Sequence, residues 1–116
     1  MRSSNSFRDF VVDQLSDIPD VRARAMFGGI GLYAGDVFFG LIASDVLYLK
    51  VDDSNRAGYE DAGSEAFKPY ADRAMTMPYY NVPVGVLEHA ETLVQWAKVS
   101  VRVAAAVKAR KKKSKG

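Results

Sequence analysis

Hydrophobic and polar positions follow two rhythms along this chain, and each change of rhythm marks an element. Phe7, Phe10, Val11, Leu15 and Ile18 recur at helical spacing, with Arg8, Asp9 and Asp13 on the other side, which predicts a first helix. Ser6 and Asp9 stand at capping-box spacing, where a serine oxygen can accept a helix-start N–H. Pro19 is expected to end the helix, because the residue before a proline avoids the α region.

From residue 21 the rhythm shortens to two. Val21, Ala23, Ala25 and Phe27 point one way and Arg22, Arg24 and Met26 the other, so residues 21–27 are a predicted strand. Gly28-Gly29 interrupts it. A short strand over residues 30–34 ends at Gly35-Asp36, a turn dipeptide. Residues 37–43 are almost wholly apolar, as in a central strand. After Ser44-Asp45 the alternation returns, with Leu47, Leu49 and Val51 inward and Tyr48 and Lys50 outward. Links this short predict a meander of antiparallel strands.

Asp52-Asp53 opens a second helix over residues 54–62, which Gly63 closes. Residues 64–73 read mostly as loop. Met75, Met77 and Tyr79 then alternate with Thr76, Pro78 and Tyr80, one more strand, placed at an edge because Pro78 cannot donate to a ladder. After Pro83 come a short turn of helix and the longest helix, residues 90–107. Leu93, Val94, Ala97, Val101 and Ala104 form its apolar stripe. Trp96 flanks that stripe and is expected to be at least half buried against the sheet. The order α-β-β-β-β-α-β-α predicts an α+β two-layer sandwich, an antiparallel sheet of about five to six strands with helices on one face. Residues 1–107 are the expected domain and residues 108–116 a disordered basic tail.

Composition narrows the class. The chain has 116 residues, 48% hydrophobic and 26% charged, enough for one core. It has no cysteine, which removes disulfides, thiolate metal sites and cysteine nucleophiles. The longest apolar run, residues 37–43, is too short to cross a bilayer, and no targeting segment is visible. A cytoplasmic location and no membrane partner are the expectation. The net charge of +2 hides an asymmetry: residues 1–91 hold all 14 acids and 8 of the 16 bases, residues 92–116 the other 8 bases and no acid. An acidic body therefore ends in a basic stretch.

Candidate chemistry is sparse. Residues 29–34 fit the G-x-G-x-x-A pattern, but the dinucleotide motif must open a helix, and a turn and strand follow here. The glycines are better explained by a bulge or a close backbone approach. Asp52 and Asp53 could hold a divalent cation, yet acids just ahead of a helix usually cap it. His89, the lone histidine, has no partner at catalytic or metal spacing, so neither a metal nor a cofactor is expected and no residue is assigned a catalytic role. Strand aromatics could stack bases, although cross-strand packing accounts for most of them. The strongest non-structural signal is the basic stretch Lys108, Arg110, Lys111, Lys112, Lys113 and Lys115, whose charges suit nonspecific, salt-sensitive nucleic-acid contact.

Three ordered stretches carry a resemblance. They are residues 26–33 (Met26-Phe27-Gly28-Gly29-Ile30-Gly31-Leu32-Tyr33), residues 47–56 with 62–67, and residues 77–83 (Met77-Pro78-Tyr79-Tyr80-Asn81-Val82-Pro83) with 93–97 beyond. Together they resemble the N-terminal domain of the TfoX/Sxy family across about residues 8–105. The resemblance implies a two-layer α+β domain with no catalytic residues to carry over. It implies a regulatory role, since the named members regulate natural competence with a global transcription activator at promoters. Those regulators have a second, C-terminal domain, where this chain has the short basic stretch. A protein-binding regulatory domain, not an enzyme, is thus the first expectation, with the transcription machinery among its partners. Nucleic-acid binding through the basic stretch comes second, and a small-ligand cleft near Gly28-Gly29 third.

Overall fold

The structure, a computed structural model, describes residues 5–26, 28–69 and 77–115, the last five through their backbone only. Helix α1 (Asn5–Gln14) leads into four strands, β1 (Val21–Met26), β2 (Gly29–Ala34), β3 (Val37–Ala43) and β4 (Val46–Lys50). Helix α2 (Arg56–Asp61), strands β5 (Ala66–Phe67) and β6 (Met77–Asn81), a single-turn α3 (Val84–Leu87) and the long α4 (Ala90–Lys115) complete the chain. The sheet is antiparallel with order β1-β2-β3-β4-β6-β5. The expected fold class holds.

Tight links make the meander. Ser44 and Asp45 both take positive φ, 51° and 58°, the backbone of a two-residue hairpin turn whose twist matches its strands. The glycines of β2 work by absence of a side chain. A Cβ on Gly29 would sit 2.7 Å from the Ile42 carbonyl oxygen, and one on Gly31 would crowd the rings of Phe38 and Tyr33 at 3.2 and 3.3 Å. A bulge falls between β2 and β3 at Leu32 and Tyr33. Residues 29–34 are therefore strand, and the dinucleotide reading has no helix to rest on.

The main core fills one face of the sheet. Val11 and Leu15 of α1, Tyr59 of α2 and Leu93, Val94 and Ala97 of α4 pack there on Leu32, Phe39, Ile42, Leu47 and Leu49. Strand residues alone make a second cluster on the other face, where Leu41, Ala43 and Tyr79 are buried with Phe38, Tyr48, Phe67 and Met77 against them. Residues 37–43 are almost wholly apolar, and the bulge against Leu32 and Tyr33 puts Phe39 and Leu41, only two residues apart, on opposite faces.

Several expectations need correcting. Helix α1 starts at Asn5, so Ser6 lies inside its first turn and is not the cap; it ends at Gln14, and a turn closed by Ile18 N–H to the Leu15 carbonyl carries the chain to Pro19. The loop expected over residues 64–73 contains β5. Phe27 and residues 70–76, including Met75 and Thr76 of the expected last strand, lie outside the described residues. Strand β6 is not at the edge: it lies between β4 and β5. Pro78 is tolerated because the register slips between Ala66 and Phe67, so it needs no partner in β5, while its carbonyl accepts the Val51 N–H at 2.9 Å. The last helix does not stop near Val107 but continues to Lys115, so residues 108–115 are helical where a disordered tail was expected. Alanine, lysine and arginine are good helix formers, and cations at a helix C-terminus are favoured by its dipole.

Candidate functional site

The basic residues singled out in the sequence sit on the last turns of α4, and these run past one end of the sheet. At that end stand the β2–β3 turn with Asp36 and the β4–α2 link with Asp52 and Asp53. Lys108 Nζ meets Asp36 Oδ2 at 2.7 Å and donates to its carbonyl oxygen at 3.1 Å. Lys108 therefore ties the helix to the acidic end of the sheet. Arg110 is exposed, and its charge helps to lower the Asp52 carboxyl. The side chains of Lys111, Lys112, Lys113 and Lys115 lie outside the described residues. At least one of the six expected contacts is thus engaged within the domain.

Asp52 and Asp53 build a turn. Asp52 Oδ1 accepts the Ser54 N–H at 2.8 Å and the Ser54 hydroxyl at 2.5 Å, and these bonds hold its carboxyl below the usual range, with Arg110 and Arg56 acting the same way. Asp53 pairs with Arg56. The N-cap of α2 is Asn55, with no side-chain cap, so the expected capping by Asp52 or Asp53 gives way to a turn just ahead of the helix. Asn55 instead donates to the Lys50 carbonyl at 3.1 Å, which also accepts the buried Ser100 hydroxyl at 2.7 Å. One carbonyl thereby joins β4, α2 and α4.

Beside this joint, Tyr59 and Trp96 lock α2 to α4, ring centroids 4.7 Å apart at 66°. Trp96 is more than half buried as expected, but its close aromatic partner is Tyr59 of α2, not a strand residue. Burial pushes the Tyr59 hydroxyl up to about 12, with Ser100 opposing more weakly. A shallow cleft of about 140 Å³ opens between Asn55, Gly58, Tyr59, Gln95, Trp96 and Val99. It is smaller than the pockets of roughly 300–1,000 Å³ that enclose small ligands. His89 is exposed, its Nδ1 2.8 Å from the Gly85 carbonyl at the end of α3. No three His, Asp or Glu side chains gather at metal-binding distance among the described residues.

The aromatics expected as base-stacking candidates pack on one another. Tyr33 meets Phe38 at 5.2 Å, Phe38 meets Tyr79 at 5.6 Å and Tyr48 meets Phe67 at 4.9 Å. Tyr79 is 5% exposed, too little to stack a base. Two cations flank this face: Arg24 lies 5.8 Å from the Tyr33 ring and Lys50 4.9 Å from that of Tyr79. Arg22, on the same side of β1 as Arg24, pairs with Asp20 at 3.1 Å. Alternation puts Arg22 and Arg24 on one strand face but carries no sign of their role, because it does not say which strand lies at the sheet's border.

No helix among the described residues is long and apolar enough to cross a membrane. Residues 13–104 match the family model described as the TfoX N-terminal domain. The chain is also 35% identical over 60 residues to the DNA transformation protein TfoX1 of Aliivibrio fischeri (strain ATCC 700601 / ES114), a stretch covering 51% of this chain and 29% of that protein.

Proposed function

The chain belongs to the TfoX N-terminal domain family, and from that premise we propose that it is a regulatory domain acting by protein binding in transcriptional control of the kind that governs DNA uptake. The observation that carries this reading is the match over residues 13–104, which takes in α2, all six strands and most of α4. The family is not a known enzyme family, and the similarity to a DNA transformation protein supports a link to competence. The test is in two parts. Deleting the gene and profiling transcripts should change a defined set of messages, and the tagged full chain should retain a protein partner after nuclease treatment. Unchanged transcripts would contradict the regulatory role; partners lost entirely to nuclease would contradict protein binding.

A second reading, nonspecific nucleic-acid binding, is favoured by the basic end of α4. Six cations between residues 108 and 115 can displace counterions from phosphates. Asp36, Asp52 and Asp53 at the adjoining end of the sheet oppose it. On this reading, DNA affinity falls steeply from low to physiological salt and is lost when the chain is ended after Lys108. Salt-tolerant, sequence-specific binding by the shortened chain would contradict it.

A further inference from the structure

Strand β1 forms one border of the sheet, and its six residues pair with β2 in unbroken register from Val21 opposite Ala34 to Met26 opposite Gly29. The Gly35 N–H donates to the Asp20 carbonyl at 3.0 Å, which sets the phase of the ladder. In an antiparallel pair the bonded positions alternate, so Arg22, Arg24 and Met26 direct their backbone groups to β2. The N–H and C=O groups of Val21, Ala23 and Ala25 therefore point outward. Among the described residues no strand pairs with them, and no backbone hydrogen bond reaches them.

Among the described residues this edge is guarded by charge alone, that of Arg22 and Arg24. Strand β1 has no proline, no lysine and no bulge against β2. At the three outward positions Ala23 and Ala25 are small, leaving room for another backbone. Arg22 and Arg24 stand on the helix-free face, one held by an exposed pair with Asp20, the other lying near Tyr33. An exposed pair of this kind is worth little and exchanges readily for another carboxylate.

We propose that the β1 edge is a docking site for an extended acidic segment of a partner protein, which adds to the sheet as a seventh strand and sets carboxylates at alternate positions against Arg22 and Arg24. Main-chain bonds to Val21, Ala23 and Ala25 supply affinity, and the two arginines supply selectivity. A second copy of this chain is a poor occupant. Pairing two β1 strands about a two-fold at Ala23 sets Arg22 opposite Arg24 twice, and sliding to a two-fold at Arg24 sets that residue opposite itself; like charges directly opposite destabilise a ladder. This inference rests on the protein-binding reading above and names the surface it uses.

The test is a titration of the isotopically labelled full chain with a short capped peptide alternating glutamate and valine, followed by amide NMR. The largest shifts should fall at Val21, Ala23 and Ala25, and their amide exchange should slow. The double variant Arg22→Glu/Arg24→Glu should weaken binding by about tenfold or more. A peptide with lysine in place of glutamate should not bind. Ala23→Pro removes the central outward donor and should abolish binding; should it fail to fold, the charge-reversed variant still decides. Shifts centred on α4, binding untouched by charge reversal, self-association through β1, or no binding of the glutamate peptide would each overturn the proposal. The charge-reversed variant also belongs in the transcript assay. Loss of the response on gene deletion but not in the variant sinks the edge alone; no response to deletion sinks the regulatory reading instead.

Discussion

The two borders of the sheet are built on different plans. Strand β5 is two residues long, its register against β6 is broken, and its approach is fastened by Asn81, whose Oδ1 accepts the Glu65 N–H at 2.7 Å while its own N–H donates to the Glu65 carbonyl at 3.2 Å. Behind it, Tyr59 of α2 meets Tyr80 of β6 at 6.1 Å, and Phe67 packs on Tyr48. Strand β1 is three times as long, regular, and backed by α1 through small side chains. One border is short, bulged and braced, as edges are when pairing is to be prevented. The other keeps a row of main-chain groups ready to pair. The difference locates the fold's rigidity at β6 and α2 and its pairing capacity at β1.

Tyr59→Ala gives the sharpest test of the braced side. It empties a buried site between Trp96 and Tyr80, and a loss of about 3–5 kcal/mol is expected in urea unfolding. A loss below about 1 kcal/mol would mean that the β5 border is no better braced than β1. Alkaline titration gives the next largest effect. Burial pushes the hydroxyls of Tyr59 and Tyr79 up to about 12 from 10.0. The unfolded chain ionises first, so stability is complete below pH 10 and is lost as pH rises toward 12, on the order of 2 kcal/mol for each tyrosine. Tyr59→Phe should remove about half of that loss and leave the share of Tyr79, and an unchanged slope would place the Tyr59 hydroxyl in water. The smallest effect belongs to the other border: Arg22→Glu/Arg24→Glu should change stability by no more than about 0.5 kcal/mol, because both side chains are exposed. A larger loss would show that the arginines hold the fold and are not reserved for a partner.

Much of this architecture is written in the chain's periodicity. The meander from β1 to β4 follows from alternation and from turn residues at Gly35-Asp36 and Ser44-Asp45, and the stripe of α4 is plain from Leu93 to Ala104. Strand β5 is illegible because two residues cannot show a period. Pro78 misleads because proline reports a missing donor, and a bulge supplies that condition as well as an edge does. The end of α4 was obscured by like charge, which hides the helix propensity of alanine, lysine and arginine and the tie from Lys108 to Asp36. The candidate surfaces fare worse. A run of cations is visible in sequence, but its proximity to Asp36 and Asp52 comes from the sheet's folding. The exposure of Val21, Ala23 and Ala25 depends on strand order, which alternation alone does not encode.

Amide hydrogen exchange along β1 in the free chain tests the account most directly. Arg22, Arg24 and Met26 should be protected by their bonds to β2, while Val21, Ala23 and Ala25 should exchange close to the rate of unstructured chain. That odd–even pattern is the signature of an open, pairable edge. Uniform protection across all six amides would show that the edge is already covered and would contradict the contrast between the two borders.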